Sequence, residues 1–230
     1  MKNKKTDRKV YNDLGEGDTF LLTDYTEDYD LYVKNQKILN DRKFGPGCND
    51  SPSQFQKMKE IVLKRIDTPT FGLCHGVRSG LENKTLGEQL GCTVIGTEIG
   101  DKFGNKDITI QWDMHNVKDE WIGKCDIIYS NSFDHSYDPI YCAKQWASCL
   151  KKTGIIVLQL IEEVPGMKGG HHIQRHIESK TYSPGDPFNV PLSVLKKIIE
   201  EHTPLEIHSV NNWWGSGKKH IRHVILQLKN

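Results

Sequence analysis

The sequence predicts an α/β fold in which helices cover both faces of a mostly parallel sheet. Two patterns predict it: apolar segments of strand length alternate with helix-like segments from residue 53 onward, and an Asn/Gly-rich loop joins the last two apolar segments. Alternating strands and helices favour a parallel sheet that is buried on both faces. Two strands joined by such a loop can pair as an antiparallel hairpin. The predicted sheet is therefore parallel until it ends in a hairpin.

The region before residue 53 is predicted to be a separate, irregular or helical segment. It has turn signals at Gly15–Gly17 and at Phe44–Gly47, and it contains several aromatic residues and acids. Tyr25–Tyr32 could form part of a cap that receives a polar or cationic small molecule, and a disordered tail fits the same stretch. We therefore predict an N-terminal segment over residues 1–52 and one domain over residues 53–230.

The domain is predicted to begin with an amphipathic helix. Ser53–Ile66 carries apolar residues at helical spacing after a plausible helix start. Further helices are predicted over Glu82–Leu90 and over Pro139–Leu150, which begins with a proline. The strand candidates are Thr70–Cys74, Thr93–Ile99, Ile108–Trp112, Cys125–Ser130, Gly154–Ile161, Leu205–Val210 and His220–Leu228.

Composition disfavours several classes of function. The formal net charge of +1 gives no general attraction to nucleic acid or to an anionic membrane, although the basic runs Lys2–Lys9 and Lys218–Arg222 keep nucleic acid as an alternative partner. The six cysteines show no CxxC spacing, which favours a reduced, intracellular protein. The N-terminus lacks an apolar signal region, and no apolar run approaches the roughly 20 residues of a membrane span. We expect a cytoplasmic protein that does not span a membrane.

The most informative motif is Phe71–Gly80, where a short strand runs into a turn that contains Gly76 and Gly80. A glycine turn lets the backbone approach a ligand, and the helix start that follows offers unpaired N–H groups. The next strand carries Glu98 near its end, where an acid can accept both hydroxyls of a ribose. This order of strand, glycine turn, helix, strand and acid indicates a nucleoside-binding site.

Over about Ser53–Leu228 the sequence resembles the Rossmann-like (class I) S-adenosylmethionine-dependent methyltransferases. The resemblance implies a three-layer fold with a seven-stranded sheet whose last strand is antiparallel. It implies S-adenosyl-L-methionine as cofactor and S-adenosyl-L-homocysteine as its product, with Glu98 at the ribose, Ile99 against the adenine and Asp113 near the adenine amino group. The cofactor-binding residues implied in this way are Cys74, His75, Gly76, Arg78, Glu98, Ile99, Asp113, Met114, Asn131 and Ser132.

The glycine-rich loop departs from the family pattern, which reads acid-x-Gly-x-Gly-x-Gly. The corresponding residues are Gly72, Cys74, Gly76 and Arg78, so that only the middle glycine is kept. Arg78 could pair with the cofactor carboxylate or with an anionic substrate. An NAD(P) dehydrogenase would share the first features of the motif, but it would need a G-x-G-x-x-G sequence that this loop does not supply.

The loop after the fourth strand, Asn131–Asp138, carries the candidate catalytic residues His135, Asp134 and Tyr137. Histidine titrates near neutral pH, so His135 could remove a proton from an attacking oxygen or nitrogen. Asp134 or Asp138 could orient it, and Tyr137 could contact the substrate. Alternatively, His135 and Tyr137 only fold the loop, and Asp138 caps the next helix. The loop lacks the Asn/Asp-Pro-Pro-Tyr motif of DNA amino-methyltransferases, so methylation of adenine N6 or cytosine N4 in DNA is not expected.

Two further segments have alternative interpretations. Residues 162–176 are rich in glycine and histidine and suit a mobile lid. His172 and His176 have a spacing that metals use, but no third ligand is evident, and we predict no metal site. Trp213 and Trp214 could stack on a base or sugar, or they could close the core of the hairpin.

We therefore predict an enzyme that uses S-adenosylmethionine to methylate an oxygen or nitrogen atom of a small molecule or a sugar-bearing metabolite. The alternative is a catalytically silent protein of the same fold that binds the cofactor or a partner, and the altered glycine loop favours that alternative. Glu98, Asp113 and the polar loop after the fourth strand favour the enzyme.

Overall fold

The structure, a computed structural model, describes residues 8–11, 20–23, 25, 28–43, 45, 51–162, 188–189, 192–214 and 220–230. Its strands are β1 (Arg8–Tyr11), β2 (Phe20–Thr23), β3 (Phe71–His75), β4 (Thr93–Glu98), β5 (Thr109–Gln111), β6 (Cys125–Ser130), β7 (Leu150–Glu162), β8 (Phe188–Asn189), β9 (Leu205–Trp214) and β10 (His220–Leu228). Its helices are α1 (Tyr29–Lys43), α2 (Pro52–Leu63), α3 (Leu81–Leu90), α4 (Pro139–Cys149) and α5 (Leu192–His202).

The main sheet has seven strands in the order β5-β4-β3-β6-β7-β10-β9. The first five of these strands are parallel to one another, whereas β10 runs antiparallel to both of its neighbours, β7 and β9. The last strand of the chain therefore lies inside the sheet rather than at its edge. The predicted fold class, a mostly parallel seven-stranded sheet with an antiparallel last strand, is confirmed.

Helices cover both faces of this sheet and give it three layers. On one face, α4 and α5 bury apolar side chains such as Trp146 and Ile198 against the strands. On the other face, α2 and α3 contribute Phe55, Met58 and Leu86 to a second core. Every residue of β6 is buried, as expected for a central parallel strand covered on both sides.

Local signals explain where the predicted helices begin. The backbone N–H of Ser51 donates to Oε1 of Gln54 at 2.6 Å at the start of α2. At the start of α4, the backbone N–H of Tyr141 donates to Oδ1 of Asp138 at 2.9 Å. Such bonds satisfy N–H groups that have no partner within the helix. The prediction that Asp138 caps the next helix is confirmed.

The N-terminal segment, predicted to be irregular or helical, contains helix α1 over Tyr29–Lys43, although no bounds for a helix were predicted there. The same segment contributes β1 and β2, which form a small separate sheet with β8. Gln36 and Asn40 are buried positions of α1, so its inner face is partly polar and lacks a clear apolar stripe. The helix α5 was missed, although its buried Val194, Leu195, Ile198 and Ile199 recur at helical spacing. Within the described residues, no helix is long and apolar enough to cross a membrane.

Candidate functional site

A cleft lies at the carboxyl ends of β3, β4, β5 and β6, beneath α1. It encloses about 530 Å³ of space, including its opening to solvent. Ligands of open α/β sheets bind at this edge. The lining residues are Tyr32, Gln36, Leu39, Asn40, Gly76, Arg78, Thr97, Glu98, Ile99, Trp112, Asp113, Met114, Ser132 and His135.

The loop after β3 forms the floor of the cleft, and Gly76 is fitted tightly into it. Gly76 has a φ of +76°, and a Cβ added to it would lie 2.6 Å from Cβ of Ser132. Its N–H and that of Val77 both donate to the carbonyl of Thr97, at 2.8 and 3.2 Å. Only glycine combines this backbone conformation with so close an approach. The loop is therefore held between the ends of β4 and β6.

Glu98, at the end of β4, presents a rigidly held carboxylate. Its Oε2 accepts the backbone N–H of Arg78 at 2.9 Å, and its Oε1 accepts that of Gly100 at 2.8 Å. The residue is only 7% exposed and lines the cleft. Since each carboxylate oxygen has two lone pairs, Glu98 can still accept hydrogen bonds from hydroxyl groups of a ligand.

Asp113, which follows β5, is the centre of a buried polar network. Its Oδ1 accepts from the backbone N–H of His115 at 2.9 Å and from the ring Nδ1–H of His115 at 2.6 Å, and its Oδ2 accepts from the hydroxyl of Tyr29 at 2.7 Å. Burial acts to raise the pKa of Asp113, but hydrogen bonds and charge from His115 outweigh it and hold the pKa below its ordinary value. Asp113 is therefore a carboxylate at neutral pH.

The same network reaches Ser136, whose hydroxyl lies 2.8 Å from Nε2 of His115. An acid, a histidine and a serine in this order resemble the relay of a serine hydrolase. However, Ser136 is completely buried and does not line the cleft. Its hydroxyl cannot reach a substrate there, so we assign the network to holding Asp113 and the surrounding loop in place.

Aromatic rings pack behind this network and connect α1 to the loop after β6. The ring centroids of Tyr32 and Tyr137 are 4.7 Å apart, and those of His115 and Tyr137 are 4.0 Å apart. Burial, with a further contribution from the charge of Asp113, raises the pKa of Tyr137 to about 12. Tyr137 is therefore neutral and packs within the cluster, outside the residues that line the cleft.

His135 lines the cleft and is held from two sides. Its backbone carbonyl accepts from the hydroxyl of Tyr32 at 3.1 Å, and its Nδ1 lies 2.9 Å from Oε1 of Gln36. Because Oε1 of Gln36 can only accept a hydrogen bond, the neutral imidazole of His135 carries its hydrogen on Nδ1. Its Nε2 is then the nitrogen that can accept a proton. Oδ1 of Asp134 lies 3.9 Å from Nε2.

Five of the predicted site residues lie outside the cleft lining: Cys74, His75, Asn131, Asp134 and Tyr137. Cys74 packs into the core beneath α2 and α3. The ring of His75 stacks on Trp146 at 4.5 Å on the opposite face, and its Nδ1 lies 2.8 Å from Oγ1 of Thr97. Side chains of successive strand residues point to opposite faces, so both residues are directed into the cores rather than along the strand axis. The remaining eight predicted residues line the cleft.

Helix α1 contributes lining residues that the sequence analysis missed. Gln36, Leu39 and Asn40 share one helix face with Tyr32 and contact the cleft. Ion pairs hold the helix over the end of β4: Nζ of Lys37 lies 2.8 Å from Oδ1 of Asp101, and Nζ of Lys102 lies 3.1 Å from Oδ1 of Asp41. The helical spacing of residues 32, 36, 39 and 40 could have indicated that they share one helix face. The mixture of polar and apolar residues at these positions hid that pattern. Thr97 and Trp112 also line the cleft, and neither was predicted as a site residue.

Two predicted features lie outside the described residues. These are the histidines His172 and His176, with most of the segment over residues 162–176, and the hairpin loop over residues 215–219. The backbone of Trp213 and Trp214 belongs to β9.

No protein-family model and no curated protein matches the sequence. Solved structures do match. Geranyl diphosphate C-methyltransferase from Streptomyces coelicolor A3(2), in complex with Mg²⁺, geranyl diphosphate and S-adenosyl-L-homocysteine, matches with a TM-score of 0.60 and 11% identity over 86% of this chain and 98% of its own. A 1,6-didemethyltoxoflavin-N1-methyltransferase from Burkholderia thailandensis, with bound 1,6-didemethyltoxoflavin and S-adenosylhomocysteine, matches with a TM-score of 0.56 and 9% identity over 96% of this chain and 100% of its own.

The trans-methyltransferase CalH, in complex with SAH, matches with a TM-score of 0.52 and 12% identity over 77% of this chain. The match spans 59% of the length of CalH. At these identities the likeness concerns the fold. Sheet order, antiparallel last strand and structural neighbours agree, and the chain has the Rossmann-like fold of the class I S-adenosylmethionine-dependent methyltransferases.

Proposed function

We propose that the protein binds S-adenosyl-L-methionine in this cleft and transfers its methyl group to an oxygen or nitrogen atom of a small molecule or sugar-bearing metabolite. One observation carries the proposal: acids at the ends of two neighbouring strands, Glu98 and Asp113, line a single cleft together with the apolar Ile99 and Met114. S-adenosylhomocysteine is bound in the three structural neighbours described above.

The residues present fit an adenosine group. Adenosine offers two ribose hydroxyls and an exocyclic amino group as donors, and Glu98 and Asp113 are acceptors with lone pairs that their protein partners leave available. We assign the ribose to Glu98, the amino group to Asp113, and the faces of the adenine to Ile99 and Met114. The assignment at Asp113 uses the carboxylate in the ionised form, which its hydrogen bonds with His115 favour by lowering its pKa.

The remaining assignments concern the methionine part of the cofactor. Cys74 and His75, at the end of β3, and Gly76, in the loop after it, are proposed to contact this part of the cofactor through their backbone atoms. The side chains of Cys74 and His75 point into the cores. Asn131 and Ser132, at the end of β6, are proposed to contact the same part. Ser132 lines the cleft, and its hydroxyl donates to Oδ1 of Asn131 at 3.0 Å.

We propose that His135 is the base that removes the proton of the substrate nucleophile. Gln36 selects the tautomer with Nε2 as acceptor, and Asp134 at 3.9 Å stabilises the imidazolium that forms. Tyr137 is proposed to shape the substrate side through its packing on Tyr32. The cofactor, when bound, supplies a methyl carbon activated by the sulfonium, so orientation of the nucleophile is the main task left to the protein.

Calorimetry with S-adenosylmethionine, S-adenosylhomocysteine and NAD(H) tests the cofactor. We expect micromolar binding, about 8 kcal/mol, of the first two alone. Binding should be lost in Glu98→Ala and in Asp113→Ala, and retained in Asp107→Ala, an exposed acid outside the cleft lining. Binding that survives both substitutions would refute the cofactor site, and binding of NAD(H) alone would support a dehydrogenase.

A second experiment separates catalysis from binding. His135→Ala should lower the rate of methyl transfer to an accepted substrate by about 100-fold or more while leaving cofactor affinity nearly unchanged. His208→Ala, which alters an exposed histidine on β9, is the control. Full activity of His135→Ala would leave His135 as a residue that folds the loop.

The alternative function is a catalytically silent protein that binds the cofactor or a partner. Arg78 favours it, because this residue stands where the family pattern has a glycine. Tight binding of S-adenosylmethionine without transfer to any member of a broad panel of small nucleophiles would support this alternative.

A further inference from the structure

Arg78 has a backbone conformation that arginine rarely adopts. Its φ is +37°, in the left-handed region that favours glycine. Two hydrogen bonds hold it there: its N–H donates to Oε2 of Glu98 at 2.9 Å, and its carbonyl accepts the N–H of Gly104 at 3.0 Å. A glycine would meet these backbone demands without strain. The contribution of an arginine at this position must therefore lie in its side chain.

Arg78 lines the cleft, and its side chain has no carboxylate partner among the described residues. The neighbouring carboxylate of Glu98 accepts two backbone N–H groups, and none of the ion pairs among the described residues includes Arg78. The nearby Lys37 and Lys102 are paired with Asp101 and Asp41. A positive charge without an acid partner therefore belongs to a residue that lines the cleft, where an anionic ligand can neutralise it.

A guanidinium is always charged and carries a planar fork of N–H donors that matches a carboxylate or phosphate in a bidentate way. Strained, non-glycine backbone conformations cluster at active sites and ligand sites. The left-handed backbone therefore indicates a functional residue, and the guanidinium without an acid partner indicates that its ligand is an anion.

We propose that Arg78 is an anion clamp that binds a carboxylate or phosphate group of the occupant of the cleft. The inference rests on the proposed function and extends it. Two sources can supply the anion: the methionyl carboxylate of the cofactor, or an anionic group of the methyl-accepting substrate. The chemistry at Arg78 is the same for both.

Paired ligands distinguish the sources. S-adenosylhomocysteine carries the amino-acid carboxylate, whereas 5′-methylthioadenosine has the same nucleoside without it. Calorimetry measures both ligands with the wild type and with Arg78→Gly, Arg78→Gln and the control Lys106→Gln, which removes an exposed cation outside the cleft lining. A third titration adds inorganic phosphate to each protein already saturated with S-adenosylhomocysteine.

If the clamp holds the cofactor, both Arg78 variants lower the affinity for S-adenosylhomocysteine by about tenfold or more. The affinity for 5′-methylthioadenosine then changes by less than about twofold. If it holds the substrate, both nucleoside ligands bind as before, and phosphate binding to the saturated wild type is lost in both variants. Lys106→Gln behaves as the wild type in either case. Thermal stability of Arg78→Gly should equal or exceed that of the wild type, because the left-handed strain is relieved.

The clamp is overturned if the Arg78 variants lose affinity equally for both nucleoside ligands, or if no titration differs from that of the wild type. These outcomes are distinct from failure of the proposed function, in which the wild type binds neither nucleoside ligand and the clamp falls with it.

Discussion

His75 is a buried histidine whose environment opposes protonation. Burial, together with repulsion from His115, lowers its pKa to about 3 from an ordinary value of 6.5, against a smaller opposing effect of Asp113. In the folded protein its ring stacks on Trp146 and bonds to Thr97, so the neutral form is the one that fits. We predict that His75→Phe makes the stability of the protein less sensitive to acid.

The magnitude follows from the pKa difference. The unfolded chain binds a proton at this residue below about pH 6.5, whereas the folded protein does so only near pH 3. The contribution to the free energy of unfolding is therefore complete above pH 6.5 and falls by about 1.4 kcal/mol per pH unit as the pH drops toward 3. Between pH 7 and pH 5 the loss amounts to about 2 kcal/mol.

Urea unfolding followed by tryptophan fluorescence at pH 7 and pH 5 measures this loss. Phenylalanine keeps an aromatic ring against Trp146 but loses the bond to Thr97, so the variant is less stable at pH 7. Its stability should nevertheless fall by about 2 kcal/mol less than that of the wild type on going to pH 5. His223, whose pKa is also lowered by burial, to about 4, contributes equally to both proteins.

His208→Gln, which alters an exposed histidine on β9, should lose as much stability on acidification as the wild type. Identical pH dependence of the wild type and His75→Phe would refute the reasoning, because it would mean that His75 is protonated as readily in the folded protein as in the unfolded chain.

Two further predictions concern the loop after β3 and the helix over the cleft. Gly76→Ala should destabilise the protein by about 2 kcal/mol or more, because strain at φ +76° adds to a clash with Ser132. The control Gly91→Ala, at φ +66° with open space around it, should cost about 1 kcal/mol. Equal losses of the free energy of unfolding, measured in urea, would contradict the close fit of Gly76. Tyr29→Phe removes the hydroxyl that donates to Asp113. Amide hydrogen exchange in α1 should therefore accelerate about fivefold, while exchange in α3 stays unchanged. Unaltered exchange in α1 would show that this hydrogen bond does not hold the helix.

The strands of the sheet were predictable because each is a short apolar segment bounded by turn residues or helices. Cys125–Ser130 and His220–Leu228 were found with their observed bounds, and the others differ by a few residues at their ends. Ends are less predictable because they depend on the hydrogen-bonding partner: β9 continues to Trp214, opposite His220 of β10, through residues that read as a loop.

The candidate site was predictable in its acids but not in its cover. Glu98 and Asp113 follow apolar strands, so their position at the edge of the sheet followed from strand order alone. The residues that contact the site from α1 could not be predicted in this way. Gln36 approaches His135 across 99 residues of sequence, and Tyr29 approaches Asp113 across 84. No local pattern encodes such pairs, since they exist only once α1 has packed over the cleft.

The sequence by itself determined the alternation of strands and helices, the glycine turn after β3 and the polar residues at the strand ends, because these depend on local periodicity and backbone preference. Only the tertiary structure decided which of those residues reach the cleft. Adjacent residues of a strand point to opposite faces, so Cys74 and His75 are directed into the two cores, while the backbone of Gly76, beyond the strand, is left at the cleft. Helices pack over both faces of the sheet and bury those side chains, and α1 completes a site whose parts lie far apart in the chain.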